Sequence, residues 1–407
     1  MSLIDPAKNP GPQAVQTDPA PHQPGFSLAR AYYALPSIYE KDLDRVWGRN
    51  WIWAGHASQI PETGDYFLFE VGPESVIVVR DRTGAIHAHM NVCRHRGSRI
   101  CLERSGNTGS FTCPYHAWTY NLDGDLRGGR LMPEGFDRRE YGLLPVHVLD
   151  FQGLLFICMA ETPPPLEAEL ARLAPLTAPF GFENLKIAHQ ATYPVPANWK
   201  LALENYLECY HCAPAHKEYS KSHSLKDPAA MTPELIGAMR KGSTAAGLAL
   251  VELSETGAKA AQPGTDLYYR RYPLFPGYQT GSRNGECLAP LLGSLRCCDG
   301  GATDVQIGPL NHFLVYSDHM IGYRFIPTGV QSTALQTVWL VRADAQEGRD
   351  YDLERLTWLW QVTTLDDERI IRNNQEGVNS RHYRPGPLSL MEWGIVDFYH
   401  NYLKMIG

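Results

Sequence analysis

The sequence has no long apolar run: nowhere do about eighteen consecutive residues read as a membrane span. It opens MSLIDPAKNPGPQAV, without the charged start and apolar stretch of a secretory leader. Basic residues are not in excess: 37 Lys and Arg face 44 Asp and Glu, a net charge of −7. That balance leaves no electrostatic footprint for nucleic acid. No G-x-G-x-x-G follows a strand, so no dinucleotide fold is visible. Cysteine is sparse and unpatterned. Nine residues, an odd count without framework spacing, argue against a disulfide scaffold and for a reducing cytoplasm. What remains is an ordinary chain of 407 residues, 43% apolar and 20% charged. It has length for roughly one to three domains.

Two short motifs stand out. Cys93-Arg94-His95 is followed, after seventeen residues, by Cys113-Pro114-Tyr115-His116. Each offers one thiolate and one imidazole. A sulfide-bridged iron pair needs a pair of protein ligands on each metal. The two loops can place both thiolates on one iron and both imidazoles on the other. That is the arrangement of a Rieske [2Fe–2S] centre, whose histidines raise its potential. The same donors also build a structural zinc site, but zinc motifs more often pair like with like within each half. The flanks CRHRG and CPYHAW resemble the cluster-binding loops of Rieske proteins. Gly97 and Pro114 suit tight loops whose N–H groups aim at sulfur. The other cysteines (Cys101, Cys158, Cys209, Cys212, Cys287, Cys297, Cys298) read as small buried apolar residues.

The chain divides by pattern. Residues 1–49 read as a Pro- and Ala-rich arm followed by a helix, Ser37 to Trp51, with Ser37 as N-cap and Asp42 and Asp44 facing water. Residues 50–162 alternate with period two in DYFLFEVG, SVIVVRD and IHAHMNV, and Asp123-Gly124 marks a tight turn. They form a small all-β domain that holds the cluster motifs. ETPPPLEAELARL is a linker running into a helix. Residues 163–407 mix strands with long helices, and the expected class is α+β. A long helix is expected from Tyr351 to Asn374.

A second metal site is legible in NWKLALENYLECYHCAPAH. A helix over 198–213 puts Glu204, Glu208 and His211 on one face, with offsets of four and three. Pro214 stops that helix and lets His216 swing beside His211. Two imidazoles and a carboxylate make the facial triad of non-haem Fe(II) oxygenases, which leaves positions open for O₂ and water. Periodicity alone leaves Asp366, Asp367 and Glu368 of the long helix open as the third donor.

Taken together, residues from about 30 onward resemble the catalytic α subunit of a Rieske-type non-haem iron oxygenase. The family's iron motif, acid-x-x-His-x-x-x-x-His, is filled here by Glu208, His211 and His216. Its third ligand is an Asp eight residues before a Gln that precedes a Gly-containing turn; Asp367, Gln375 and Gly377 fit that spacing. The resemblance implies a helix-grip catalytic domain, a curved antiparallel sheet around a long helix. It implies a ring, commonly a homotrimer, in which Glu208 links His211 to a neighbour's cluster histidine, His116 by analogy. It implies O₂ as co-substrate and a separate flavin- and iron–sulfur-containing reductase that takes electrons from NAD(P)H, with no β subunit.

The substrate is less legible. Most aromatic-ring dihydroxylating members of the family carry Asp at the bridging position. Glu is closer to members that oxidise quaternary amines such as carnitine, glycine betaine and proline betaine. LYYRRYPLFPGY and FLVYSDHMIGYRF could supply an aromatic cage for such a cation. Arg270, Arg271 and Arg324 could meet a carboxylate, whereas His312 and His319 read as structural. The first expectation is N-demethylation or hydroxylation of a betaine-like compound. Hydroxylation of an aromatic acid, and a pure electron carrier, are the alternatives. Roughly 240 residues beyond the cluster domain argue against the carrier.

Overall fold

The structure is a computed structural model that describes residues 21–224 and 229–407. Most of the expected arm, residues 1–20, lies outside them. Of its remainder, Ser27 donates to Gly386 O and Gly25 O accepts from Leu388 N, so the chain start packs on residues near its end.

Helices α1 (Ala31–Ala34) and α2 (Pro36–Lys41) replace the single helix expected from Ser37. Pro36 takes the first helical position, where its fixed φ fits and its missing N–H is no loss. A wider π-helical turn, Asp42–Trp47, follows. Asp42 does not face water. It is fully buried and accepts from Trp199 Nε1 at 3.0 Å and Tyr402 Oη at 2.7 Å, and it pairs with Lys200 Nζ. A carboxylate can sit there because donors surround it.

The next strands are β1 (Ile52–His56), β2 (Asp65–Val71), β3 (Glu74–Arg80), β4 (Ile86–Met90) and β5 (Ser105–Asn107). β6 (Phe111–Thr112), β7 (Thr119–Tyr120) and β8 (Leu126–Gly128) make a small separate sheet, and β9 (Pro145–Phe151) and β10 (Leu154–Cys158) complete the large one. The large sheet runs β1-β10-β9-β4-β3-β2-β5. Alternation decides which core each side chain joins. On β3, Val76 and Val78 join the main core, whereas Ile77 and Val79 join a small core with Cys93, Cys113, Trp118 and Tyr120. The cluster loops thus stand on a packed floor.

After α3 (Glu167–Thr177) comes β11 (Leu185–Val195), and then α4 (Trp199–Leu207), α5 (Cys212–Ala215) and α6 (Pro233–Ala246). β12 (Leu253–Glu255), β13 (Leu267–Pro273), β14 (Gly301–Ile307), β15 (Asn311–Val315), β16 (Met320–Gly329) and β17 (Ser332–Arg342) build a second antiparallel sheet, ordered β11-β17-β16-β15-β14-β13-β12. Its strands wrap in a curved half-barrel against α4, α7 (Leu353–Asn379) and α8 (Trp393–Ile406). The class is α+β, as the pattern implies. Among the described residues, no helix is long and apolar enough to cross a membrane.

The two sheets are riveted together. Trp53 of β1 lies on β16 where Gly322 leaves room: a Cβ there would lie 2.3 Å from the indole. Arg324 of β16 does not serve a substrate. Buried, it donates to Trp53 O at 2.9 Å and Ala54 O at 2.7 Å, with its guanidinium 4.1 Å above the Trp53 ring. Among the described residues no carboxylate offsets its burial, which draws its pKa down to about 9. Arg271 is likewise structural, buried against Asp299, and Arg270 pairs with Glu252.

Candidate metal centres

The cluster motifs lie on two loops, one after β4 and one between β6 and β7. Cys93 and Cys113 are buried, whereas His95 and His116 are exposed with ring centroids 4.6 Å apart. Sulfur inside and imidazole outside is the order needed for a cluster that must exchange electrons at a surface. Gly97, at φ +77°, supplies the left-handed turn of the first loop. Tyr120 Oη lies 3.3 Å from Cys93 Sγ. Burial pushes the Cys93 thiol up. For Cys113, burial is outweighed by N–H groups of Tyr115 and His116, which hold it below its ordinary value. N–H groups aimed at sulfur are what a thiolate ligand requires.

The second centre departs from the sequence reading in one respect. The helix does not run to Pro214. α4 ends at Leu207, Glu208 is extended at φ −127°, and Pro214 sits inside the short α5. The cause is local. Glu208 Oε2 accepts from the backbone N–H of Tyr210 and, at 3.2 Å, of His211, turning the chain. Its Oε1 meets His211 Nδ1 at 2.5 Å. A carboxylate only accepts, so Nδ1 carries the proton and the Nε2 lone pair points away.

That lone pair has company. His211 Nε2 is 3.1 Å from His216 Nε2 and 3.5 Å from Asp367 Oδ1, and His216 Nε2 is 3.0 Å from the same oxygen. Asp367 Oδ1 is buried and makes no hydrogen bond of regular geometry despite these short distances. Three acceptor atoms converging in this way fit a shared cation. Burial lowers the His211 pKa, and the nearby carboxylates of Asp367 and Glu208 more than reverse this, to about 9. Burial raises that of Asp367, and the two imidazoles bring it below its ordinary value. Asp366 lies 3.7 Å from His216 Nδ1 on a more exposed edge, and Glu368 turns to Arg372. Of the three acids left open, Asp367 completes the group. Gln375 accepts from Asn198 N at 2.8 Å, fastening the start of α4 to α7. Gly377 is not in a turn; α7 continues through it to Asn379.

Around this group lies a pocket of about 620 Å³. Tyr206, Tyr219, Tyr323, Phe325 and Trp360 line it. Ring centroids are 4.7 Å apart for Tyr206–Tyr323, 5.7 Å for Tyr323–Trp360 and 5.5 Å for Tyr219–Trp360. Tyr323 Oη and Trp360 Nε1 are buried without a hydrogen-bond partner among the described residues. The expected aromatic strands contribute unequally: FLVYSDHMIGYRF supplies Tyr323 and Phe325, and LYYRRYPLFPGY supplies none of the lining. Trp360 is two helical turns before Asp367 and shares its face; Tyr206 and Tyr219 gave no periodic signal. His319 pairs with buried Asp318, and His312 packs against Tyr206 at 5.1 Å. Cys209 and Cys212 also line the pocket, joined by a disulfide, and Cys287 is joined to Cys298. The chain folds bring these cysteines together, which their spacing in sequence did not suggest.

A family model described as the ring hydroxylating alpha subunit (catalytic domain) matches residues 182–407, and one described as the Rieske [2Fe-2S] domain matches residues 50–145. The chain belongs to the ring-hydroxylating alpha-subunit family. This oxygenase is 36% identical over 401 residues to the glycine betaine monooxygenase oxygenase subunit of Pseudomonas aeruginosa, covering 98% of this chain and 93% of the relative. It is 27% identical to the carnitine monooxygenase oxygenase subunit of Escherichia coli, covering 94% of each. A solved quaternary ammonium Rieske monooxygenase aligns with a TM-score of 0.72 at 24% identity, over 94% of this chain and 96% of that one, a likeness of fold. The oxygenase is thus a Rieske non-haem iron enzyme with a [2Fe–2S] cluster and a mononuclear iron.

Proposed function

We propose that this oxygenase hydroxylates an N-methyl carbon of a small quaternary ammonium compound of the betaine type, as the oxygenase component of a system fed by a separate reductase. The observation that carries the reading is the box of four rings (Tyr206, Tyr219, Tyr323, Trp360) over the His211, His216, Asp367 group. Each aromatic face stabilises a desolvated cation by about 0.5–2 kcal/mol. The two orphaned donors, Tyr323 Oη–H and Trp360 Nε1–H, suit the carboxylate of a betaine.

In this reading Cys93, His95, Cys113 and His116 hold the cluster, and His211, His216 and Asp367 hold the iron. When bound, the cluster supplies single electrons and the iron activates O₂. The chain's own part is placement. Glu208 keeps the His211 proton on Nδ1 and fixes the ring. The buried aromatic walls exclude water and hold a methyl group toward the triad. A hydroxylated N-methyl carbon is a carbinolamine, which collapses to formaldehyde and the demethylated amine.

Glu208 also links the two centres of neighbouring subunits in a homotrimer. Supporting this, Tyr210 is exposed beside it and Leu390 is 97% exposed on the short turn, Leu390–Glu392, that leads into α8. Glu392 of that turn lies close enough to Glu208 and His211 to feel both charges. Apolar groups left in water around a bridging carboxylate suit the tip of a second copy.

The test is formaldehyde release with a generic reductase across carnitine, glycine betaine, proline betaine and aromatic acids. Release from a betaine and none from the acids is expected. Hydroxylated aromatic acid with no formaldehyde refutes the substrate reading.

A further inference from the structure

The ring of His95 stacks on Trp118, centroids 5.0 Å apart and 11° from parallel. Trp118 meets Phe136 at 5.6 Å and Tyr141 at 6.1 Å, and those two stack on each other at 4.7 Å. Trp118 is buried, whereas Phe136 and Tyr141 are partly exposed. Gly129 makes the close packing feasible: a Cβ there would lie 2.8 Å from Trp118 Nε1. A continuous run of aromatic rings therefore leads from one histidine of the cluster site to the surface of the segment after β8. His116 has no such path. It leans on Tyr115, itself exposed, and is the histidine assigned above to the neighbouring subunit.

The surface where the rings emerge is unusual. Leu131 is 97% exposed and has φ +53°, a left-handed backbone that branched side chains rarely adopt. An apolar side chain is thus held out into water. Arg127 and Arg130 beside it are exposed and form no ion pair among the described residues. Arg139 is spent on Asp137 at 2.7 Å, and Glu134 and Glu140 are the remaining acids of the segment. On a chain whose net charge is −7, two free arginines flanking an apolar knob favour an acidic partner that docks and leaves.

We infer that Leu131, with Arg127 and Arg130, is the docking surface for the electron donor, an acidic iron–sulfur domain of the reductase, and that the packed rings of Phe136, Tyr141 and Trp118 line the path along which the electron tunnels to His95, without themselves being reduced. The inference rests on the oxygenase reading and adds the face by which electrons enter. Each docking event moves one electron: the donor centre is oxidised by one, the oxygenase cluster is reduced by one, and no bond is made or broken.

The probe is a plant-type [2Fe–2S] ferredoxin, acidic and low enough in potential to reduce a Rieske centre. Two quantities are measured on the holoenzyme: binding of the oxidised ferredoxin by calorimetry, and stopped-flow reduction of the cluster by the reduced ferredoxin. Arg127→Glu with Arg130→Glu weakens binding and slows reduction by about 30-fold at low ionic strength, and the gap closes as salt is added. Leu131→Asp weakens binding by about tenfold. Phe136→Leu leaves binding intact and slows reduction. Dithionite, which needs no docking, reduces every variant at the wild-type rate. Unchanged binding and reduction in the double charge reversal overturn the inference. So does a Leu131→Asp protein whose subunits separate in light scattering, because the knob then belongs to another copy of the chain. Absence of product after dithionite reduction of the wild type, with substrate and O₂ present, counts against the oxygenase reading and leaves the binding result standing.

Discussion

Glu208→Gln separates two roles of one carboxylate. In the wild type, one oxygen takes the His211 ring proton at 2.5 Å and the other takes the His211 backbone N–H at 3.2 Å. Glutamine keeps an acceptor and loses the charge. Hydrogen bonds to charged groups contribute about 1.5–3 kcal/mol, against about 0.5–1.5 for neutral ones. The imidazole therefore loses roughly 1–1.5 kcal/mol of support, which weakens iron binding about tenfold. Excess ferrous salt restores full occupancy. If fixing His211 were the whole role of Glu208, turnover would return with the iron. If Glu208 also carries the link to the neighbour's cluster, turnover stays down by about a hundredfold or more. The assay is a single turnover: the enzyme is reduced, mixed with substrate and O₂, and cluster reoxidation is followed by absorbance. A variant with full iron whose cluster reoxidises at the wild-type rate refutes the link.

Three further outcomes are expected. Asp367→Ala lowers iron content from about three to about two atoms per chain, with the cluster absorbance unchanged; three irons retained would remove Asp367 from the ligand set. Lys200→Met strands the Asp42 carboxylate in the core and destabilises by roughly 3–5 kcal/mol in denaturant melts, whereas the added change Asp42→Leu recovers much of the loss. Burial raises Glu204 from its ordinary 4.5 to about 8, a shift that the Tyr33 hydroxyl only partly opposes. The folded state then holds a proton that the unfolded chain has lost. Stability from this group is full below about pH 4.5 and falls as pH rises toward 8, by at most about 1.4 kcal/mol per unit. Glu204→Gln flattens that slope between pH 5 and 8, and an unaltered slope refutes the assignment.

Strands were legible where one face meets a core and the other does not, as along β2. The clusters of donors were legible because chemistry fixes residue type and spacing together. Local geometry was not. The 3.6-residue period carries a helix straight through Glu208, yet its side chain finds better partners in the backbone N–H groups just ahead and ends α4. Asp42 looked exposed because it lies in a polar-sided helix, and its donors Lys200 and Tyr402 come from far along the chain. Arg324 looked available for a substrate for the same reason. Tyr206 and Tyr219 became pocket walls only once two helices and a sheet had met. Helices α6 and α8 went unread although each presents one buried face.

Cutting the gene near codon 162, in the hope of a free-standing catalytic half, would discard the carbonyls of Trp53 and Ala54 while retaining the guanidinium that they satisfy. That fragment would carry a naked cation in a hole shaped for an indole. The halves are therefore expected to be inherited, expressed and purified as a unit, and shuffling of electron-transfer modules among such enzymes should succeed only when both sides of this joint travel together.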